Sequence, residues 1–286
     1  MNSVSLRPAR QEDAPVCGDI CFRAFNTLAQ RHNFPSDVTS AESAIEFIPE
    51  LIGHPDIYAV VAEQDGRVVG SNFLDERNLI LGIGPITVDP DVQASSVGRL
   101  LMEHVLDRAQ EQCAVGVRLC QVAFNNSSLS LYSKLGFQLR EPLSAMQGNP
   151  LDVTIPGYQV RAATMEDLES CNDLCHRVHG HDRCGELRDA VTDHTARVVE
   201  SREGVTGYAT NLSYDGHVIG RTNDDLKALI GSADAFGGTG ILIPTRNTEL
   251  FRWCLDHKLQ VVQQMSLMTM GLYNEPQGVW MPSVSY

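Results

Sequence analysis

Ile86-Thr87-Val88-Asp89-Pro90-Asp91-Val92-Gln93-Ala94-Ser95-Ser96-Val97-Gly98-Arg99 is the stretch on which the reading of this sequence turns. An apolar strand ends at Val88, Asp89-Pro90 makes a tight turn, and small residues open a helix that continues through Leu100-Leu101-Met102 to about Ala109. Strand, turn and helix N-terminus together make an anion site. The first amides of a helix have no partner within it, and the helix dipole is positive there. A phosphate group meets both needs. Ser95, Ser96 and Gly98 keep the loop thin enough for backbone to approach a pyrophosphate. The same pattern is also an ordinary corner of an α/β domain, so the sequence downstream has to decide.

Downstream, Val115 to Phe124 is rich in β-forming residues, and Asn125-Asn126-Ser127-Ser128 is helix-starting chemistry. The next helix puts Ser128, Leu131, Tyr132 and Leu135 on one face and stops at Gly136, followed by Phe137. This strand, Asn125 and the run Leu131-Tyr132-Ser133-Lys134-Leu135-Gly136-Phe137 resemble the second signature of the GNAT superfamily of N-acetyltransferases. Gln93 to Gly98 resembles that family's acetyl-CoA loop, Arg/Gln-x-x-Gly-x-Gly/Ala. Ser96 stands where the first Gly is usual, which implies a stiffer loop and a weaker pyrophosphate grip. The resemblance implies that Ile86, Val88, Gln93, Ser95, Ser96, Val97, Gly98, Arg99 and Asn125 hold acetyl-CoA.

Composition narrows the alternatives. The chain has 286 residues, enough for two domains. No run approaches the roughly eighteen apolar residues of a membrane span, and Met1 to Arg7 has no apolar core of a secretory signal. The eight cysteines include no Cys-x-x-Cys pair and are read as reduced thiols of a cytoplasmic protein. A net charge of −14 argues against nucleic acid as a partner. It also repels free CoA, so local cations must compensate, with Arg99, Lys134 and Arg140 as candidates. An acidic field favours a cationic amine, although the same charge also serves solubility.

The sequence repeats itself. Leu6 to Arg23 and Val160 to Arg177 share Arg, Ala, Glu, Asp, Cys, Asp, Cys and Arg in register. Asn125 and its helix are echoed by Asn247 followed by Glu249 to Leu259, with Cys254 in the place of Tyr132 and Lys258 in that of Gly136. Repeats at this spacing read as duplicated domains. The expected fold is α/β, a layered α+β arrangement of two tandem GNAT-like domains, each a mixed twisted sheet flanked by helices. Residues 1–145 form the catalytic domain and 156–286 a degenerate one, joined by a linker from Pro142 to Pro156. The second copy of the loop helix, Asn223 to Ile230, begins with two carboxylates that already satisfy the dipole and repel a pyrophosphate. The Gly-rich run Phe236 to Gly240 precedes a strand and reads as a turn.

Acetyl transfer to an amine needs an anchored cofactor, a polarised carbonyl, a deprotonated amine and a protonated leaving thiolate. The resemblance assigns the carbonyl to the backbone amide of Val88 and thiolate protonation to Tyr132, and brings Asn125 to the pantetheine arm or to the strand–helix corner. The family's Glu on the fourth strand is missing from Ile83 to Thr87. Glu76 or Asp75, at the end of the strand before it, is the candidate base acting through water; a solvated strand end is the other reading. Cys175 to Cys184 packs three His, two Cys and an Asp at a spacing that fits no common zinc motif. It reads as a loop lining the acceptor cleft, opposite Asp75–Arg77, and no metal is expected. The cysteine pairs 17/21 and 171/175 are read as core thiols. The function expected is transfer from acetyl-CoA to the primary amine of a small molecule or peptide, by direct attack in a ternary complex. A non-catalytic acyl-CoA sensor and a transferase for a longer acyl chain are the alternatives.

Overall fold

The two echoed segments fold alike, down to their ion pairs. β1 (Val4–Pro8) leads through a short turn into α1 (Ala14–His32), and β8 (Gln159–Ala162) leads the same way into α5 (Leu168–His179). Arg7 donates to Asp13 at 2.7 Å and to Glu63 at 2.6 Å. Arg161 donates to Asp167 and Glu200, both at 2.7 Å. Each aspartate also accepts the backbone N–H three residues upstream, from Arg10 and from Thr164, both at 2.8 Å. One carboxylate thus caps the turn and anchors the strand. The paired cysteines of α1 and α5 are buried core thiols, with Cys21 and Cys171 both pushed up to about 12 by burial. The computed structural model describes residues 4–36, 38, 40–92 and 96–286, with 41–43 as backbone.

The first half continues with α2 (Ala41–Gly53), β2 (Ile57–Gln64), β3 (Arg67–Asp75), β4 (Ile80–Ile83), β5 (Thr87–Val88), α3 (Val97–Glu111), β6 (Gly116–Val122), α4 (Asn126–Leu135) and β7 (Gln138–Gln147). The second adds α6 (Cys184–Thr192), β9 (Arg197–Ser201), β10 (Gly204–Ala209), β11 (Val218–Gly220), α7 (Asn223–Gly231), β12 (Ile241–Pro244), α8 (Thr248–Asp256), β13 (Gln260–Gly271) and β14 (Val279–Met281). Among the described residues no helix is long and apolar enough to cross a membrane.

The halves exchange strands. β13, from the second half, lies between β6 and β7 of the first, and β7 in turn pairs with β12 of the second. One sheet therefore runs β1-β2-β3-β4-β6-β13-β7-β12 through both halves. On β13, Met265 and Leu267 are buried in one core and Met268 in another. Each such side chain contributes about 1.5–3 kcal/mol on burial. The expected linker is corrected accordingly: its first part, from Pro142, is the middle of β7, and only 148–158 connects the halves.

The sheet also opens. β4 runs parallel to β6 over Ile80–Gly82 against Gly116–Arg118. The chain then turns at Gly84, whose φ of +136° favours glycine, and at Pro85, which has no N–H to donate. Beyond them, among the described residues, β5 pairs only with β3, Thr87 opposite Ser71 and Val88 opposite Gly70. The single strand expected from Ile83 to Thr87 is thus two, with a wedge between β5 and the upper part of β6. In the second half the equivalent wedge, between β11 and β12, is closed. β14 hydrogen-bonds to β11 along Val218–Gly220 and packs on β12.

Because β13 completes the first half's sheet, a chain ended at Pro150 leaves β6 and β7 without their shared partner. It is expected to show no cooperative thermal transition by circular dichroism. A melt as sharp as that of the full chain would show that the first half folds alone.

Candidate active site

Two cavities meet in the wedge. The outer one, of about 550 Å³, runs past the N-terminus of α3, where Ser96, Gly98 and Arg99 line it together with the Asp89–Pro90 turn and Arg31 of α1. The inner one, of about 580 Å³, lies between α1, α2 and the second half. Ile86, Val88, Asn125, Ser128 and Tyr132 line both, so the two spaces join at the splayed strand.

The outer cavity has the chemistry of an anion groove. Ser96 is the N-cap of α3 but makes no side-chain cap bond, and the first turn carries no acidic residue. Among the described residues those amides meet no side-chain cap, an arrangement that suits a ligand or water. A Cβ on Gly98 would sit 3.8 Å from Val88 Cγ2 and 3.9 Å from Leu131 Cδ2, ordinary contacts at the groove wall. The turn is locked by Asp89, which is buried, accepts from Arg23 at 2.8 Å and receives the N–H of Asp91 at 3.0 Å. Arg23 holds its carboxyl below the ordinary value. Of the expected cations, Arg99 lines the groove and pairs with Glu103 at 2.9 Å. Lys134 and Arg140 do not line it, and Arg140 donates to Thr269 instead. Arg31, which the sequence reading missed, takes their place. Val97 is buried in the core beneath the helix. Gln93 and Ser95 lie outside the described residues.

Val88 and Tyr132 stand where the cavities join. The N–H of Asp89 donates to Val69 on β3 at 2.9 Å. Strand alternation then turns the Val88 N–H away from β3, toward the wedge. Tyr132 is buried, and burial pushes its phenol up to about 12, against the opposing effect of a hydrogen bond with Ser128. It stays a proton donor at any physiological pH. Asn125 caps α4: it accepts the N–H of Ser128 at 3.1 Å and donates to Ser128 Oγ at 2.8 Å. Gly136 ends the helix at φ +104°, and in the second copy Lys258 takes φ +70° at the same place.

Residues 24–137 match the family model of the acetyltransferase (GNAT) family. Over that stretch the chain is similar to GNAT acetyltransferases. A ribosomal protein bS18-alanine N-acetyltransferase of Salmonella typhimurium strain LT2 is 39% identical over 64 residues, which are 22% of this chain and 40% of that enzyme. The match thus spans well under two thirds of that relative. A Pyrococcus horikoshii structure assigned as an acetyltransferase superposes over 98% of this chain and 95% of its own, with a TM-score of 0.73 at 18% identity. A tandem GNAT protein from the clavulanic acid biosynthesis pathway covers 94% of this chain and 98% of its own, with a TM-score of 0.55 at 12% identity. At such identities the likeness is one of fold, and it extends over both halves.

Among the described residues the equivalent groove of the second half is blocked twice over. β14 fills its wedge, and α7 begins with a self-satisfied cap. Asp225 accepts from the N–H and hydroxyl of Thr222 at 2.8 and 2.9 Å and also from Thr206, and Asp224 adds a second carboxylate to the first turn.

The residues expected to bound the acceptor cleft line neither cavity. Asp75 is held by Arg77, with contacts from 2.5 to 3.1 Å, and Arg77 reaches on to Asp189 of α6 at 3.0 Å. Glu76 receives two bonds from Arg108, at 2.6 and 2.8 Å. Neither carboxylate lines either cavity. This strand end does meet the second half, but as a filled contact. The partner of Glu76 lies on α3, so alternation alone left that carboxylate free, whereas Asp75 is held by a residue two positions on.

In the His-rich segment His179, His181 and Arg183 are buried, while His176 is exposed. Arg183 donates to Glu186 at 2.6 and 2.8 Å and to the Tyr286 carbonyl. His217 stands 3.3 Å from Glu186, and His181 is 3.1 Å from the Tyr286 hydroxyl. The Tyr286 ring lies 4.3 Å from the Arg118 guanidinium and 4.2 Å from that of Arg183. Burial opposes ionisation of Glu186, yet Arg183 and His217 hold its carboxyl well below the usual range. Burial, with the nearby arginines, lowers His179 and takes His181 and His217 down to about 4. These imidazoles are neutral when folded and take up protons near pH 6.5 when unfolded, so the unfolded state gains protons first as pH falls. The melting temperature should drop between pH 6.5 and 5, above the range where paired carboxylates titrate. His181→Gln should flatten that slope. An equal slope in the variant would contradict the neutral assignment.

Proposed function

We propose that the first half transfers an acetyl group from acetyl-CoA to a primary amine, in a ternary complex without a covalent enzyme intermediate. The observation that carries this reading is the junction of the two cavities at Val88 and Tyr132. The outer cavity suits a pyrophosphate at the α3 N-terminus, with Arg31 and Arg99 offsetting part of the chain's negative charge. The wedge suits an extended pantetheine arm, and Asn125 holds the corner beside it.

At the junction, the Val88 N–H is positioned for the oxyanion that develops when an amine attacks a thioester carbonyl. A donor already aimed at that charge costs little reorganisation, and removing such a donor typically costs several kcal/mol. The amine loses its proton to water. Tyr132 gives its own proton to the departing sulfur and regains one from solvent. A buried, fully protonated phenol suits that step better than it suits the role of base. Asp75 and Glu76 are not assigned a part, because both are tied to arginines outside the cavities.

The experiment is a pair of variants. Acetyl-CoA at a hundredfold excess over its dissociation constant should stabilise the wild-type chain by about 2.7 kcal/mol. Calorimetry should show one equivalent bound. Gly98→Val adds bulk at the groove wall, where a Cβ meets only ordinary contacts, and should abolish the shift; an unchanged shift would place the cofactor elsewhere. Two bound equivalents would show that the second half keeps a site.

Tyr132→Phe should keep the fold and the acetyl-CoA shift while slowing turnover by about 10²–10⁴-fold. Wild-type turnover in this variant would make Tyr132 a packing residue.

A further inference from the structure

We propose that the amine acceptor is a small molecule whose primary amine is carried on an apolar body, bound in the inner cavity beneath the second half. This rests on the transferase reading above and goes beyond it by naming the substrate class. The inner cavity opens on the Val88–Tyr132 junction, so whatever fills it faces the reacting carbonyl. Its volume is in the range of small-molecule sites.

The walls are apolar and come from both halves. Phe25 and Leu28 of α1, Phe47 of α2, Val122 of β6, Met265 of β13 and Val284 beyond β14 all line the cavity. Phe47 is 37% exposed, an aromatic ring at the cavity without full cover. Two of the polar groups that reach the lining are spent on the protein, and one, the buried Gln121 amide, has no hydrogen-bond partner among the described residues. The Tyr214 hydroxyl donates to Met265 Sδ at 2.8 Å. The Cys120 thiol donates to the Ser283 carbonyl at 3.5 Å and is pushed up to about 12 by burial, so it stays protonated. The Gln121 amide can meet a single amine, but a polyamine or a peptide would give up more hydrogen bonds to water than this one side chain replaces. An apolar body gains instead, by about fourfold in affinity for each methylene buried.

The second half sets the size limit. Tyr214 and Asp215, Gly238, and the segment Val284–Ser285 line the inner cavity from that side. They are tied down, since the Val284 N–H donates to the Tyr214 carbonyl at 2.9 Å. Asp215 is exposed and is the one carboxylate among the described residues lining this cavity. It places a negative charge at the mouth, where an incoming ammonium is attracted before it loses its proton. One charge at the mouth and an apolar interior match an amine at the end of an apolar body.

The test uses the full chain with saturating acetyl-CoA and follows release of the CoA thiol. 2-Phenylethylamine and hexylamine should exceed putrescine and an alanine-initiated hexapeptide by at least tenfold in kcat/KM. From butylamine to hexylamine the value should rise about fourfold per methylene. Phe47→Gln should lower kcat/KM for 2-phenylethylamine at least fivefold while leaving the KM for acetyl-CoA unchanged. Preference for putrescine or the peptide would overturn the proposal and leave the transferase reading standing. So would a tenfold preference for hexanoyl-CoA over acetyl-CoA with the same amine, because the cavity would then hold the acyl chain. Thermal stabilisation by acetyl-CoA with no turnover of any amine would overturn the transferase reading itself.

Discussion

The hydrogen bonds that hold β13 between β6 and β7 place every other part of this molecule. They run from Met265 to Gly271 against β6 and from Gln260 to Thr269 against β7. β6 is also the fixed wall of the wedge. The strand that the second half contributes therefore supports the wall against which β5 splays. The same crossing brings Tyr214, Asp215 and Val284 over the inner cavity. A site between two domains usually depends on an interface that can open. Here the domains share a continuous sheet, so the geometry of the site is part of the fold.

The asymmetry between the halves has a physical basis that needs no loss of structure. Both copies keep the strand, the turn with its Arg–Asp grip, and the Asn-capped helix. They differ at one wedge and one helix start. Where the chain leaves the wedge open and the helix start uncapped, an anionic ligand has somewhere to go. Where β14 closes the wedge and Asp225 caps the helix, the backbone groups are already satisfied. Beyond β14 the chain continues to Val284 and Ser285 at the inner cavity of the first half. The closure of one site thus supplies a wall of the other.

Local features were legible in the sequence. The strand–turn–helix at Val88 to Arg99, the cap at Asn125, the stop at Gly136 and the duplicated Arg and Asp all rest on contacts between residues close along the chain. Long-range pairing was not. Gln260 to Gly271 carries alternation that says strand, but nothing local says that its neighbours lie in the other half. Glu76 read as a free carboxylate because Arg108 lies 32 residues away on α3, and the local Asp75–Arg77 pair is fixed in place only by the contact of Arg77 with Asp189 of the second half. The His-rich run read as a loop because its burial depends on Tyr286 and Glu186. Asp215 carried no signal at all: an Asp-Gly turn is ordinary, and only the fold brings it to the cavity.

The central claim is that the wedge between β5 and β6 seats an acyl-CoA with its thioester between Val88 and Tyr132. A crystal structure of the full chain with coenzyme A tests it most directly. One molecule per chain is expected, with the pyrophosphate at the start of α3 and the sulfur within hydrogen-bonding reach of the Tyr132 hydroxyl. Coenzyme A bound against α7, or with its sulfur remote from Tyr132, would contradict it.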